Sequence, residues 1–336
     1  MKVLTVNGKD YKLPFPITAF QQEMYAHLID WKWSHITLEP GTDRGIEYDA
    51  ILPKMYADRF PMIYPPIAQE LRQHHARFPF RIHKYFNHMA SSQAANVNLF
   101  LPVLLHPNVD AILGALRPDF ARLATSYLDR GYRIEFCDDP YWNLNDKSPL
   151  SGTDADIAIA YFNRKDELCL WLIEHKLTEK EFTTCGGAKS PGRKPRHDCN
   201  GSFAELVADP SPCYYHDAKG FKYWEITGKN QAFFANHAGH AQCPFRGGMN
   251  QLWRNQLLAL SIEQDDHQPY NHASFSVVRH PRNTALDKSL DDYRDLIAHN
   301  PQFSVFTSAD VIRAAERFGD DALRVWVDWY RDLYKP

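Results

Sequence analysis

The alternation of apolar and polar positions is clearest in the middle of the chain. Ile157-Ala-Ile-Ala-Tyr-Phe162 is apolar, Asn163-Arg-Lys-Asp166 is polar and turn-forming, and Leu168-Cys-Leu-Trp-Leu-Ile173 is apolar again. Uninterrupted apolar runs of this length fit strands buried on both faces, so the segment predicts a central β-hairpin. Charge brackets it, with Asp154 and Asp156 before the first run and Glu174 and Lys176 after the second. Strand side chains alternate with a period of two, so Asp154 and Asp156 share a face, as do Glu174 and Lys176. If Phe162 pairs with Leu168, Asp156 lies opposite Glu174 and Asp154 opposite Lys176. Directly opposed Cβ atoms are about 4.5–5.5 Å apart, close enough for two carboxylates to share one hard cation. A one-residue slip would undo this. The alternative is a solvated strand end carrying an ion pair.

Further elements follow on either side. Val3–Val6, Asn7-Gly8 and Lys9–Leu13 predict a short hairpin with a type I′ turn. The Trp- and Pro-rich stretch from Phe15 to Phe86 contains a helical patch at Ile67–Ala76 and no evident chemistry; it either packs on the core or recognises a target. Ser91 begins a helix with cap-type residues that runs to Leu105. An amphipathic helix is expected over Ala111–Leu128 and a strand over Tyr132–Cys137. Gln251–Leu260 is a helix with Gln251, Arg254 and Asn255 on one face. Ala273–Val278 reads as another core strand, with outer helices at Leu286–Ala298 and Ala309–Tyr334. The expectation is an α/β (α+β) fold with a mixed central sheet flanked by helices. Its parts are an N-terminal region (1–88), a first core segment (89–182), a Cys-rich insert (183–245) and a second core segment with C-terminal helices (246–336).

Composition narrows the function classes. The 336 residues are 44% hydrophobic and 13% aromatic, which supports a sizeable core and not a disordered chain. The net charge of -3 means that nucleic-acid contacts must come from local basic clusters. The N-terminus has no apolar signal region, and Pro102 breaks the apolar run at Leu99–Leu105, so a cytoplasmic protein without a membrane partner is expected. No Gly-x-x-x-x-Gly-Lys-Ser/Thr or Gly-x-Gly-x-x-Gly motif supports ATP or dinucleotide binding.

The insert is rich in Gly, Pro, His and Cys and reads as too polar and irregular for a core element. Four of the six cysteines fall there, Cys185, Cys199, Cys213 and Cys243, separated by 13, 13 and 29 residues. Four thiolates could close a tetrahedral Zn²⁺ site or hold a [4Fe-4S] cluster. The spacing lacks close Cys-x-x-Cys pairs, and plain burial of the thiols is the competing reading. His197, His216, His237 or His240 could replace one thiol. Lys189, Arg193, Lys194 and Arg196 crowd the same insert as a basic loop placed to meet phosphates, or simply a solvated one.

An acid heading one strand and Glu-x-Lys ending the next resembles the PD-(D/E)xK nuclease superfamily. Ser91-Ser-Gln-Ala and Asn98-Leu-Phe also resemble a group of candidate bacterial restriction endonucleases with a cysteine-rich insert. The resemblance spans Ser91 to Val278 and implies a restriction-endonuclease-like core that hydrolyses DNA phosphodiester bonds with Mg²⁺ or Mn²⁺. It implies that Asp156 and Glu174 hold the metal and that Lys176 handles the attacking water and the phosphorane charge. Asp154 becomes a helper or second-metal ligand. Two departures stand out: Ala155 replaces the superfamily proline, and the Ser91–Leu105 helix has no metal-binding Glu, so Gln93 or Asn98 would have to bind a metal-held water. Gln251 is expected to point at the site and Arg254 to reach phosphate. Superfamily members with iron-sulfur clusters make a DNA-processing exonuclease the alternative. A catalytically silent nucleic-acid-binding protein is the rival of another class. The choice between monomer and homodimer stays open.

Overall fold

A computed structural model of the chain describes residues 2–6, 8–56, 59–147, 152–188 and 200–336. The hairpin β1 (Lys2–Val6) and β2 (Lys9–Leu13) precedes α1 (Ala19–His35), a small hairpin β3 (Gly41–Asp43) and β4 (Ile46–Tyr48), and α2 (Ala68–Arg77). Helices α3 (Ser92–Leu104) and α4 (Val109–Leu116) lead into β5 (Phe120–Leu123), β6 (Tyr132–Phe136), β7 (Ala155–Asn163) and β8 (Leu168–Lys176). The insert carries α5 (Phe203–Ala208), α6 (Tyr214–Asp217) and α7 (Tyr223–Lys229). The chain ends with α8 (Asn250–Glu263), β9 (His272–Arg279), α9 (Asp287–Leu296), β10 (Phe303–Thr307), α10 (Ser308–Phe318) and α11 (Asp321–Tyr334).

The six-stranded central sheet has the order β10-β9-β8-β7-β5, with β6 also on β7. β7 and β8 pair antiparallel from Phe162↔Leu168 to Ile157↔Ile173, the register that the polar turn and the two apolar runs predict. β8 pairs parallel with β9, and β9 parallel with β10, so α8 and α9 are the crossover helices that parallel neighbours require. The sheet is therefore mixed and flanked by helices, as the sequence leads one to expect.

Alternation then divides the core in two. Ile157, Ile159, Trp171 and Ile173 face a layer that includes Leu28 of α1, Phe100 of α3, Ile112 of α4 and Trp326 of α11. Ala158, Ala160, Leu170 and Leu172 face the other layer, with Trp253 and Leu257 of α8, Tyr293 of α9 and Trp224 of α7. Helix α3 is buried from Gln93 to Leu104, with Gln93, Asn96 and Asn98 hydrogen-bonded among apolar neighbours, as suits a helix packed between the sheet and outer helices. Burying each large apolar side chain contributes about 1.5–3 kcal/mol. With β8 buried along its whole length, that sum outweighs the cost of carrying Glu174 and Lys176 at its end.

Three expectations need correction. The single helix over Ala111–Leu128 is instead α4 followed by β5: Arg117, next to Pro118, takes an extended conformation, as a residue before proline prefers. The helix over Ala309–Tyr334 is two helices, broken where Asp320 caps the second. The insert is not too polar for a core, because Phe203, Tyr223, Trp224 and Phe245 pack in the same cluster as the sheet.

Candidate active site

The ladder between β7 and β8 stops at Ile157↔Ile173, and the chain opens at this point into a cleft of ≈ 1180 Å³. Asp156 and Glu174 lie just beyond, on the α8 side of the sheet. Asp156 does not simply face Glu174 across the strand gap: its Oδ2 accepts the backbone N–H of His175 at 2.6 Å, and its own carbonyl accepts from Asn96 Nδ2 of α3 at 3.0 Å. Strand and helix thus both fix Asp156.

Glu174 is held more tightly. Its Oε1 accepts from Lys176 Nζ at 2.7 Å and from Gln251 Nε2 at 2.6 Å, and its Oε2 accepts from Asn255 Nδ2 at 3.0 Å. Gln251 and Asn255 are one turn apart on α8, so one helical face meets the end of β8. A carboxylate has about four lone-pair positions. Three donors leave Glu174 one position for a further ligand.

The corner contains a residue that the sequence reading passed over. Glu135 of β6 has φ 50° and interrupts the ladder between Ile134↔Ile157 and Phe136↔Ala155. A non-glycine residue in the left-handed region is unusual, and such strain gathers at functional positions. The Glu135 carboxyl is pushed well above its ordinary range by burial, then by Asp156 and Asp154. Burial and Glu174 likewise hold Asp156 well up, and the same two causes raise Asp154 to about 6 although it opens to the cleft. Burial alone would lower the Lys176 ammonium, but Glu174, Glu179 and Asp156 outweigh it and keep the group charged.

Four carboxyls therefore share a partly dehydrated corner with one ammonium. They cannot all ionise unless positive charge enters. Hard oxygen donors in mutual repulsion suit a divalent cation such as Mg²⁺, and the donor set fits that group by its chemistry. Among the described residues, no three His, Cys, Asp or Glu side chains are drawn together tightly enough to hold an ion as they stand.

The remaining candidates are distributed as follows. Gln93 lines the cleft, but its amide accepts from His83 N at 2.9 Å and donates to Arg81 O at 2.9 Å, so it pins the segment before α3; it also bonds Glu135. Asn98 is turned away from the cleft, bonded to Tyr64 N, Met62 O and Tyr334 Oη. Arg254, expected to reach phosphate, lines the cleft but is largely buried: it pairs with Asp146 at 3.4 Å and donates to Thr153 at 3.1 Å, beside Tyr223. Cys185, Cys213 and Cys243 border one small pocket. Cys199, Lys189, Arg193, Lys194 and Arg196 lie outside the described residues. The cleft is also walled by Phe80, Arg81, His83, Tyr85 and His88, from a stretch in which the sequence showed no chemistry. The only hint was the basic and aromatic mix of Arg81-Ile-His-Lys-Tyr85.

Comparison with known proteins adds one match. Residues 27–335 match the family model described as restriction endonuclease associating with ARP. No curated protein and no solved structure matches. Among the described residues no helix is long and apolar enough to cross a membrane.

Proposed function

The chain belongs to the family of restriction endonucleases associating with ARP, and from that premise we propose that it hydrolyses DNA phosphodiester bonds in the cleft above Glu174, with Mg²⁺ or Mn²⁺. The observation that carries this reading is the one corner into which Asp154, Asp156, Glu174 and Lys176 converge at the open end of the β7–β8 hairpin.

Asp156 and Glu174 would hold the ion, with Asp154 and Glu135 beside them. When bound, the ion neutralises charge on the scissile phosphate and acidifies water. The chain's own residues do the rest. Lys176, kept cationic by the surrounding acids, is a hydrogen-bond donor to charge developing on phosphate and not a resting base. Asp154, raised to about 6 and open to the cleft, is placed to accept a proton from the attacking water. Gln251 and Asn255 fix the direction in which Glu174 points. Gln93 ties Arg81 and His83 to α3 and so sets a further wall of the cleft, where the Arg81 guanidinium suits a phosphate backbone. The run Lys189, Arg193, Lys194 and Arg196 is assigned further phosphate contacts from its composition.

The test is digestion of circular plasmid and genomic DNA from several sources with and without Mg²⁺. Wild type is expected to cut only with the metal, and Glu174→Gln not at all. Equal cutting by the two, or DNA retention without metal-dependent cutting across the panel, would overturn the reading in favour of a different site or a silent binder.

A further inference from the structure

A second donor set lies in the insert. Cys185, on the segment leaving β8, Cys213, at the start of α6, and Cys243, before α8, border one cavity of ≈ 10 Å³. Its other walls include Leu206, Tyr215, Trp224, Phe245 and Trp253. A water needs roughly 10–15 Å³ of such space and two to four polar partners. This cavity is at the lower limit of size and is walled mainly by sulfur and aromatic carbon. Arg246 and the amide of Asn250, whose Nδ2 and Oδ1 have no hydrogen-bond partner, also border it, and an organic ligand has no room.

Packing alone does not explain three sulfurs here, since alanine or valine would fill an aromatic core as well. Nor does it explain why three separate segments bring sulfur to one small space. Burial pushes the Cys213 thiol up and the Cys243 thiol to about 12, against the nearby backbone amides, so both stand as thiols until an ion displaces the proton. Sulfur donors gathered in this way are the type that soft metal ions take.

We propose that Cys185, Cys213 and Cys243, which do not stand at ligand spacing in this structure, draw in around one Zn²⁺ ion as thiolates, with the fourth position taken by a donor from outside this set. Binding displaces the thiol protons and involves no redox step. A single ion is favoured over a [4Fe-4S] cluster, which takes four thiolates and far more room than ≈ 10 Å³. The ligands come from three separate segments, so the ion would tie the exit of β8 to the start of α8, where Gln251 and Asn255 reach Glu174. Its role is structural, and the proposal does not depend on the nuclease reading.

The test uses the untagged full chain. Elemental analysis after gel filtration should give one zinc per chain in wild type and little in Cys213→Ala, while Cys169→Ala, altered within the sheet, keeps it. Since Cys213→Ala could fail to fold, Co²⁺ exchange into wild type is the second measurement. It should give the thiolate-to-cobalt charge-transfer band and the strong visible bands of a tetrahedral site. Wild type without zinc, zinc retained by Cys213→Ala, cobalt uptake without a thiolate band, or brown protein containing iron and sulfide would each overturn the proposal.

Discussion

The acid corner opens onto a cleft of ≈ 1180 Å³, whereas the thiol pocket encloses ≈ 10 Å³. One gathers oxygen donors from three neighbouring strands of a sheet, with an amide-bearing helix directing one of them. The other gathers sulfur donors from three loops that share little regular structure. Oxygen donors beside open solvent suit a hard ion that must exchange ligands with substrate and water, and leave each carboxylate partly unsatisfied. Sulfur donors packed among aromatic rings, with only Cys243 partly exposed, suit an ion that stays in place. On the two proposals made above, the contrast teaches that donors which would repel one another as anions are left exposed where chemistry is needed and packed away where the need is to staple a chain.

Separate damage to the two regions should have separate signatures. The largest effect is expected from Asp156→Asn and Glu174→Gln, which keep shape and lose charge: DNA cleavage should fall by about 10³-fold or more, with little change in melting temperature. Cys213→Ala should reverse that pattern, lowering stability before activity. Next is Arg254→Met, which leaves Asp146 buried without its cation; unfolding in denaturant should show a loss of about 3–5 kcal/mol, partly recovered by adding Asp146→Asn. Gln251→Leu removes one of the three donors on Glu174 and should weaken metal affinity or activity by roughly 10–100-fold, measured as the Mg²⁺ dependence of cleavage.

The smallest effect concerns pH. Glu135, Asp154 and Asp156 all have folded-state pKa values above those of an unfolded chain, near 6 for Asp154. The stability they contribute is present below the unfolded-state value and lost as pH rises through the folded one. The melting temperature of metal-free protein should therefore fall between about pH 4 and pH 7, and saturating Mg²⁺ should restore it at the upper end. A flat metal-free profile would mean that the corner is better hydrated than its geometry suggests.

The placement of Asp156 and Glu174 at one end of a hairpin was legible in the sequence, because two apolar runs flank the Asn163–Asp166 turn and the Phe162–Leu168 pairing taken as the condition is the one found. Glu135 was not. Nothing local marks it, and it matters only because β6 lies against the same end of β7. The wall from Phe80 to His88 was equally hidden, since irregular backbone has no period to read and is placed by contacts such as Gln93 with His83. The buried setting of Arg254 was hidden for a related reason. Helical spacing puts it on the face of Gln251, and both line the cleft, but its partner Asp146 comes from a loop more than a hundred residues earlier in the chain.

The most direct measurement is a titration of Mn²⁺ into purified chain, followed through the electron paramagnetic resonance signal of the free ion. Wild type should take up Mn²⁺ at a saturable site that competes with Mg²⁺, and Asp156→Asn should lose that uptake while remaining folded. Identical uptake by the two proteins would contradict the assignment of the acid corner as a divalent-metal site.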